Sequence, residues 1–521
     1  AGQILQEMKE PLAPLPENDE NVQIETKAVE KEGLVGTSVL VQSLRFAGNT
    51  AFSDAELNAV LGPVKGSYHL QDLKALADKI TSFYVQNGYP FARAYIPQSP
   101  VKKGVLEIQI VEGKYGEIST LGEQKLALRA KKFLYLLKPG NLIDAKTLER
   151  STLILNDQPG IQGTPIMRPG KAFGTGNLEV MVAKDKPFSG EIGLDNTGNR
   201  YTGKYRGRMA WQANSPFFFG DQFSIKGMYT NEELWFGSVN YGFPLGSMGW
   251  RWNGGYAKTS YQLGEEFEDL DARGTANVAS TGFSYPMWRS KQGNVTFLLN
   301  YQHKDLRDIT ESTNTESIKT SHSVPFGLQF DVRDSFGLNG ITYGSVLWTY
   351  GHLDLDDPLA LVDGPTAQTE GDFDKINWDI ARLQAGPEGM MFYAHVSGQW
   401  ARCNLDSSEG FGLGGVSGIR AYPEGEAYGD EGWLSQFELR YQVGAWVPYV
   451  FYDWGGVKFN KDPWTEGQNY RHLSGAGFGS RFSKKGWGFD MLAAWRAHGG
   501  APVSDTRDLK PMIWASGKYQ F

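Results

Sequence analysis

From Phe188 to Phe521 the sequence alternates apolar and polar residues in short segments separated by turn signals. In "FGLQFDVRD", Phe326, Leu328, Phe330 and Val332 take one face while Gln329, Asp331 and Arg333 take the other. In "QFELRYQV", Phe437, Leu439, Tyr441 and Val443 oppose Glu438, Arg440 and Gln442. "FDMLAAWRAH" and the terminal "IWASGKYQF" repeat the pattern. A period of two is the pattern of a β-strand with unlike environments on its two sides. All 15 tryptophans and 47 of the 64 glycines fall in these 334 residues, and no helical segment is present to cover so large a sheet. A soluble antiparallel β domain is the plain reading. Aromatic-rich alternation over strands of about 10 residues favours a transmembrane β-barrel, which pairs every backbone group between strands and has no edge exposed to lipid. It therefore spans a membrane even at a mean hydropathy of −0.40 and without a run of ~18 apolar residues. At roughly 20 residues per strand and connection, about sixteen strands are expected. Short turns such as "PFFFGDQ" and "FPLGSMG" alternate with the polar stretches "RDITESTNTESIKTSH" and "DLDDPLALVDGPTAQTEGDFDK", read here as long loops on the outer side.

The first 187 residues are a different material, with no tryptophan and half of the 24 prolines. "GQILQEMKE" sets Ile4, Leu5 and Met8 on one helical face, and "PLAPLPENDE" ends that helix. A polar linker follows to about Thr37. "SVLVQSLRFAGNTAFSDAELNAVLG" reads as strand, turn and a helix capped by Ser53, with Glu56 at the capping-box position. Leu73, Leu76, Ala77, Ile80, Phe83 and Tyr84 form the stripe of a second helix, stopped at Gly88. "ARAYIP" and "GVLEIQIVEG" complete a β-α-α-β-β order, the latter either a free edge or an interior strand. From Tyr115 to Lys186 the order returns, with a strand in "EISTL", two helices and a strand in "GNLEVMVAKD".

Composition excludes several classes of function. A net charge of −8 and a pI near 5.6 argue against nucleic acid. The single Cys403 rules out an internal disulfide framework and a cysteine-built metal site. The opening at Ala1, without an apolar signal core, suits a cytosolic or a processed, exported chain. The seven histidines are scattered in sequence, and there is no H-E-x-x-H, no G-x-S-x-G and no G-x-x-x-x-G-K-[ST]. The acids Glu424, Glu426, Asp430 and Glu431 miss EF-hand spacing. No metal, cofactor or catalytic residue is expected.

Several stretches resemble the transporters of two-partner secretion, the family that exports filamentous-haemagglutinin, haemolysin and contact-dependent-inhibition exoproteins. "GNTAFSDAEL", "NGYPFARAYIPQ" and "GVLEIQIVEG" are similar to the family's first POTRA domain, "PGKAFGTGNLEVMV" to the end of its second, and "NSPFFFGDQFSIKG" to its first barrel hairpin. "GIRAYPEGEAYGDEG" resembles the inward-folded sixth loop of the superfamily, whose Val-Arg-Gly-Tyr tetrad stands here as Ile419, Arg420, Ala421 and Tyr422. Its partner on the barrel wall, Phe-x-Asp-x-Gly, matches Phe451, Asp453 and Gly455. Alanine at 421 is a departure, disfavoured if that position needs a positive φ.

The resemblance implies a sixteen-stranded outer-membrane β-barrel preceded by two periplasmic POTRA domains and a plug helix. The divisions are a plug helix at 1–12, a linker at 13–37, POTRA domains at 38–115 and 116–187, and a barrel at 188–521 with the inward loop at about 404–432. It further implies that Arg420 pairs with Asp453, and that Ile4, Leu5 and Met8 belong to the plug. The implied partners are a secreted β-helical exoprotein (adhesin, cytolysin or growth-inhibition toxin), outer-membrane lipid, and the barrel-assembly machinery during biogenesis. A monomer, no nucleic acid and no ATP are expected. An assembly factor for other barrels is the alternative, with a barrel hydrolase and a passive porin behind it.

Overall fold

The computed structural model describes residues 1–7, 23–24, 38–98 and 101–521. They divide into two compact units, 18–185 and 186–521, the second also taking in 1–17.

The first unit holds two α/β modules. In the first, helix Asp54–Leu61 starts on a reciprocal capping box: Glu56 accepts from the Ser53 amide at 2.8 Å, and the Ser53 hydroxyl accepts from Glu56 N. Helix Leu70–Gln86 buries Leu73, Leu76, Ala77, Ile80 and Tyr84, with Phe83 partly buried beside them. This stripe packs on Phe46, Leu106, Ile108 and Ile110. Strand Val105–Val111, the core of "GVLEIQIVEG", pairs in parallel with Ser43–Ala47 and antiparallel with Arg93–Tyr95 and Val101–Lys102. It is therefore interior, and the free-edge reading of this strand is wrong. Its alternation places Leu106, Ile108 and Ile110 on one buried face, which an edge exposed to water does not require.

Glu112, just beyond that strand, holds the module's first turn. It accepts the amides of Thr50 and Ala51 at 2.5 and 2.7 Å, the Tyr84 hydroxyl at 2.9 Å and the Thr50 hydroxyl. Burial opposes its ionisation, but these bonds outweigh burial and leave its pKa below the ordinary 4.5. The Tyr84 hydroxyl, buried against this carboxylate, is pushed above the usual tyrosine range.

The second module orders its strands Gln23–Ile24, Ile161–Pro169, Thr175–Lys184 and Lys114–Gly122. Helices Gln124–Lys131 and Ala145–Asn156 accompany them, the latter capped by Asp144. Strand Ile161–Pro169 is an addition to the elements read from the sequence. So is the pairing of Gln23 and Ile24, from the linker, with Ile166 and Met167 in parallel. Gln23 and Ile24 thus cover part of one edge of this sheet, whereas Lys114–Gly122 ends it at the other among the described residues.

The second unit is a closed antiparallel barrel of sixteen strands, from Phe188–Asp195 to Met512–Gln520, which pair with each other to complete the ring. Strand Trp446–Lys458 shows how the alternation is used: Val450, Tyr452 and Trp454 are exposed on the outer face, while Tyr449, Phe451 and Asp453 are buried inward. Apolar side chains turned outward suit lipid, and polar ones turned inward suit a wet lumen.

Two sequence readings need correction. "RDITESTNTESIKTSH" is not a long loop. Strands Gly293–Thr310 and Thr315–Asp334 run through it, leaving residues 311–314 as the turn, because these strands continue with polar residues past the apolar band. The histidines are also less scattered than the sequence suggests. His303, His322 and His352 stand opposite one another on three adjacent strands, and Asp372 follows in the same row. His303 and His322 meet at 3.2 Å between ring nitrogens, and His352 meets Asp372 at 2.6 Å.

A candidate lumen-loop clasp

Between the eleventh strand, Met390–Ala401, and the twelfth, Glu431–Tyr441, residues 402–430 fold into the barrel instead of projecting from it. A short ladder, Phe411–Gly412 against Tyr428–Gly429, closes the loop on itself. Leu413, Ile419, Arg420, Ala421, Tyr422 and Glu426 are all buried.

Arg420 reaches across to the thirteenth strand, Trp446–Lys458. Its Nε and Nη2 donate to the two oxygens of Asp453 at 2.9 and 2.6 Å, and its backbone amide donates to the same carboxylate at 3.0 Å. The bidentate fork fixes direction as well as attraction. Phe451, two residues before Asp453 on the same face, lies under the guanidinium with its ring centre 3.7 Å from Cζ. Gly455, two residues after, leaves the wall bare: a Cβ there would stand 2.8 Å from Leu413 and 3.4 Å from Ile419 of the loop. The three wall positions therefore act as stacking face, acceptor and clearance, and the period of two brings them all inward.

The sequence reading lacked Glu438. It sits on the twelfth strand, inward-facing, and pairs with Nη1 of Arg420, Nε of Arg440 at 2.7 Å and Arg481 at 3.0 Å. Arg481 also pairs with Asp490 at 3.0 Å. Three guanidiniums thus share three carboxylates: Glu438, Asp453 and Asp490. The sequence signal was the polar face of "QFELRYQV", but only the register of the twelfth strand on the thirteenth, Gln436 opposite Asp453, shows that this face meets Arg420.

Ile419 is fully buried over Gly455. Ala421 is not among the residues of positive φ; the left-handed alanine of this loop is Ala427, at φ 55. The methyl of Ala421 lies against Gly475 of the fourteenth strand. Tyr422 donates its hydroxyl to the carbonyls of His498 and Gly500 at 2.9 and 3.1 Å. Trp514, on the last strand, donates to the Arg420 carbonyl at 2.7 Å, and Gln436 to that of Gly418 at 2.7 Å.

The loop's acids go separate ways. Glu426 accepts the amides of Val503 and Ser504 at 3.0 and 2.8 Å and pairs with Arg471 at 2.5 Å. Asp430 accepts the amides of Leu405 and Lys461, and Glu431 pairs with the Lys461 ammonium at 2.7 Å. No group of three or more His, Cys, Asp or Glu among the described residues could hold a metal ion.

Helix Gly2–Glu7 lies with the barrel unit. Ile4 is buried, and Gln3 Nε2 reaches the carbonyl of loop residue Gly425 at 3.4 Å. The amine of Ala1 meets Asp308 at 2.9 Å and the Tyr261 hydroxyl at 3.0 Å, both inside the barrel. Leu5 belongs to this helix, and Met8 lies outside the described residues.

The sequence and the fold both have counterparts among known proteins. Residues 174–482 match the family model described as "Haemolysin secretion/activation protein ShlB/FhaC/HecB", and residues 39–113 match "POTRA domain, ShlB-type". The chain is 27% identical over 434 residues to the heme/hemopexin transporter protein HuxB of Haemophilus influenzae strain 86-028NP, covering 80% of this chain and 76% of that protein. It is 22% identical over 465 residues to the outer membrane transporter CdiB of Dickeya dadantii strain 3937, covering 85% and 79%. Its fold is similar to that of CdiB from Escherichia coli, with a TM-score of 0.76 at 18% identity, over 100% of this chain and 95% of that one. The chain belongs to the haemolysin secretion/activation protein family, the outer-membrane transporters of two-partner secretion, with a barrel spanning the outer membrane and POTRA domains on its periplasmic side.

Proposed function

We propose that this transporter takes one large β-helical exoprotein, captures it unfolded by strand addition to a POTRA sheet edge, and passes it through the barrel as an extended chain. Folding of the passenger outside gives the movement its direction, and no nucleotide is consumed. Residues 1–12 act as a plug that leaves the lumen during transport. Ile419, Arg420, Ala421 and Tyr422, held by Phe451, Asp453 and Gly455, keep the loop in the posture that transport requires. The observation that carries this reading is the fork of Arg420 on Asp453, both buried inside a closed barrel. A clasp of that kind costs desolvation and is of use only where the loop must be held.

An assembly factor for other barrels is the weaker reading, since the family match is to secretion proteins. We also take the chain to work without catalysis and as a monomer. HuxB is named as a heme/hemopexin transporter; for this chain, adhesin, cytolysin and growth-inhibition toxin are all compatible passengers. The test is co-expression with a candidate passenger, a large repetitive exoprotein of the β-helical class. The passenger should reach the medium only when the transporter is present. Removing residues 38–115 should abolish export and passenger binding while the barrel still inserts. Export that proceeds without those residues would show that the first POTRA domain is dispensable and leave capture to the second.

A further inference from the structure

The Arg420 clasp fastens the far arm of the loop. The near arm is held by other charges on other strands. Lys304 on strand Gly293–Thr310 and Lys375 on strand Gly371–Ala385 both point inward and close on Glu409. The Lys375 ammonium lies 2.7 Å from the Glu409 carboxylate and also donates to its carbonyl at 2.7 Å. Gln399 donates to the same carbonyl at 2.8 Å. Lys319 pairs with Asp406, whose carboxylate also accepts the Ser408 amide at 2.9 Å. Little water reaches this cluster: Lys375 is 2% exposed, Glu409 4%, and Lys304 and Asp406 7% each.

The N-terminal helix lands on this turn. A Cβ on Gly2 would stand 2.6 Å from the Ser408 amide nitrogen, 2.8 Å from the Ser407 hydroxyl and 2.9 Å from Ser408 Cα, so only glycine fits there. Two backbones in such close contact have to move together.

We propose that the turn Asp406–Glu409 is the seat of the plug, and that Glu409, set between Lys304 and Lys375, is a positioning residue for pore closure. Taking away its charge leaves two buried ammonium groups facing one another, and the turn has to shift to let water reach them. A shift of the turn breaks the fit of Gly2 on Ser408 and unseats the helix. Arg420 and Asp453 hold the other arm on different strands, and the helix meets that arm through the longer contact of Gln3 with the Gly425 carbonyl at 3.4 Å. The inference rests on reading residues 1–12 as a plug.

Single-channel conductance in planar bilayers tests both layers. Five purified proteins are compared: the full chain, the chain without residues 1–12, Glu409→Gln, Gly2→Val, and Glu409→Gln in the chain without residues 1–12. Heat-modifiable gel migration verifies that each barrel is folded. Glu409→Gln and Gly2→Val should each raise conductance to that of the plug-less chain, and Glu409→Gln placed in the plug-less chain should add nothing. If removing residues 1–12 leaves conductance unchanged, the plug reading itself fails. If the deletion raises conductance while both substitutions leave it at the full-chain value, the seat is wrong. A further rise from Glu409→Gln in the plug-less chain also overturns the proposal, because the loop and not the plug is then what Glu409 holds.

Discussion

The methyl group of Ala421 rests on Gly475, in the space that a side chain at 475 would fill. Alanine stands at the position where the family tetrad carries glycine, and the barrel wall supplies the missing room. Because Ala421 has no positive φ, its side chain incurs no backbone strain.

Gly475→Ala should therefore displace the loop, since the two methyls collide. Overpacking of this kind costs about 1–3 kcal/mol. Ala421→Gly alone should be tolerated, and in combination with Gly475→Ala it should restore export toward wild type. Export of the passenger into the medium measures this. A double variant as defective as Gly475→Ala alone would show that position 475 matters for another reason.

Arg420→Ala and Asp453→Ala should each cripple export while the barrel still assembles. Removing one member of a buried pair costs about 3–5 kcal/mol, less where lumen water screens the charge left behind. The double variant should be little worse than either single, because both remove one interaction. Glu438→Gln should also impair export, since Arg420, Arg440 and Arg481 all rely on that carboxylate. Losses that multiply as independent effects, or normal export by Arg420→Ala, would refute the clasp.

Glu112 makes the first POTRA domain sensitive to acid. Its folded pKa is depressed, so its stabilising contribution is full above 4.5, the ordinary value, and disappears as pH falls through the folded one. Glu112→Gln should cost about 1–3 kcal/mol at neutral pH, because the part-buried amides of Thr50 and Ala51 lose an ionised acceptor. Hydrogen exchange across residues 38–98 of the full chain should report faster opening in the variant at pH 7. That difference should shrink in acid. A gap of equal size at pH 7 and in strong acid would mean that the carboxylate charge plays no part.

How much of this could be read beforehand depended on the range of the interaction. Period-two alternation and the helix stripes are local, so the barrel, the buried face of Leu70–Gln86 and the Ser53 capping box were visible in short windows. Arg420 and Asp453 came through a family resemblance, because nothing between residues 420 and 453 says that they touch. Glu438, Glu409 and the histidine row are products of register. Which residues face each other across strands is fixed by closing the barrel, and a one-residue slip turns each side chain to the other surface. The polar continuation of Gly293–Thr310 and Thr315–Asp334 was misread because hydrophilic residues mark loops in most proteins. In a barrel they also mark strands that have left the apolar band.

Passenger capture should distinguish the two edges of the second POTRA sheet. Ile161–Pro169 is paired in part by Gln23 and Ile24 of the same chain, whereas Lys114–Gly122 ends the sheet among the described residues. At its start that strand is occupied, since the amide of Tyr115 donates to Asn141 and its carbonyl accepts from Gly140. The open stretch is therefore Ile118–Gly122, which pairs on its inner side with Leu178–Val182. A strand added there draws on backbone donors and acceptors, which is how an edge binds an unfolded chain without demanding a sequence. Proline removes one donor per substitution. Scanned through residues 118–121 in the full chain, prolines should fall into two alternating classes; Gly122, at φ 138, is left out because proline cannot take that backbone. Those whose amide faces outward should weaken passenger binding with the module still folded. Those whose amide faces Thr175–Lys184 should unfold the module as well. Binding measured by pull-down and folding measured by protease resistance separate the two. Outward-facing prolines that leave binding intact would place capture on another edge.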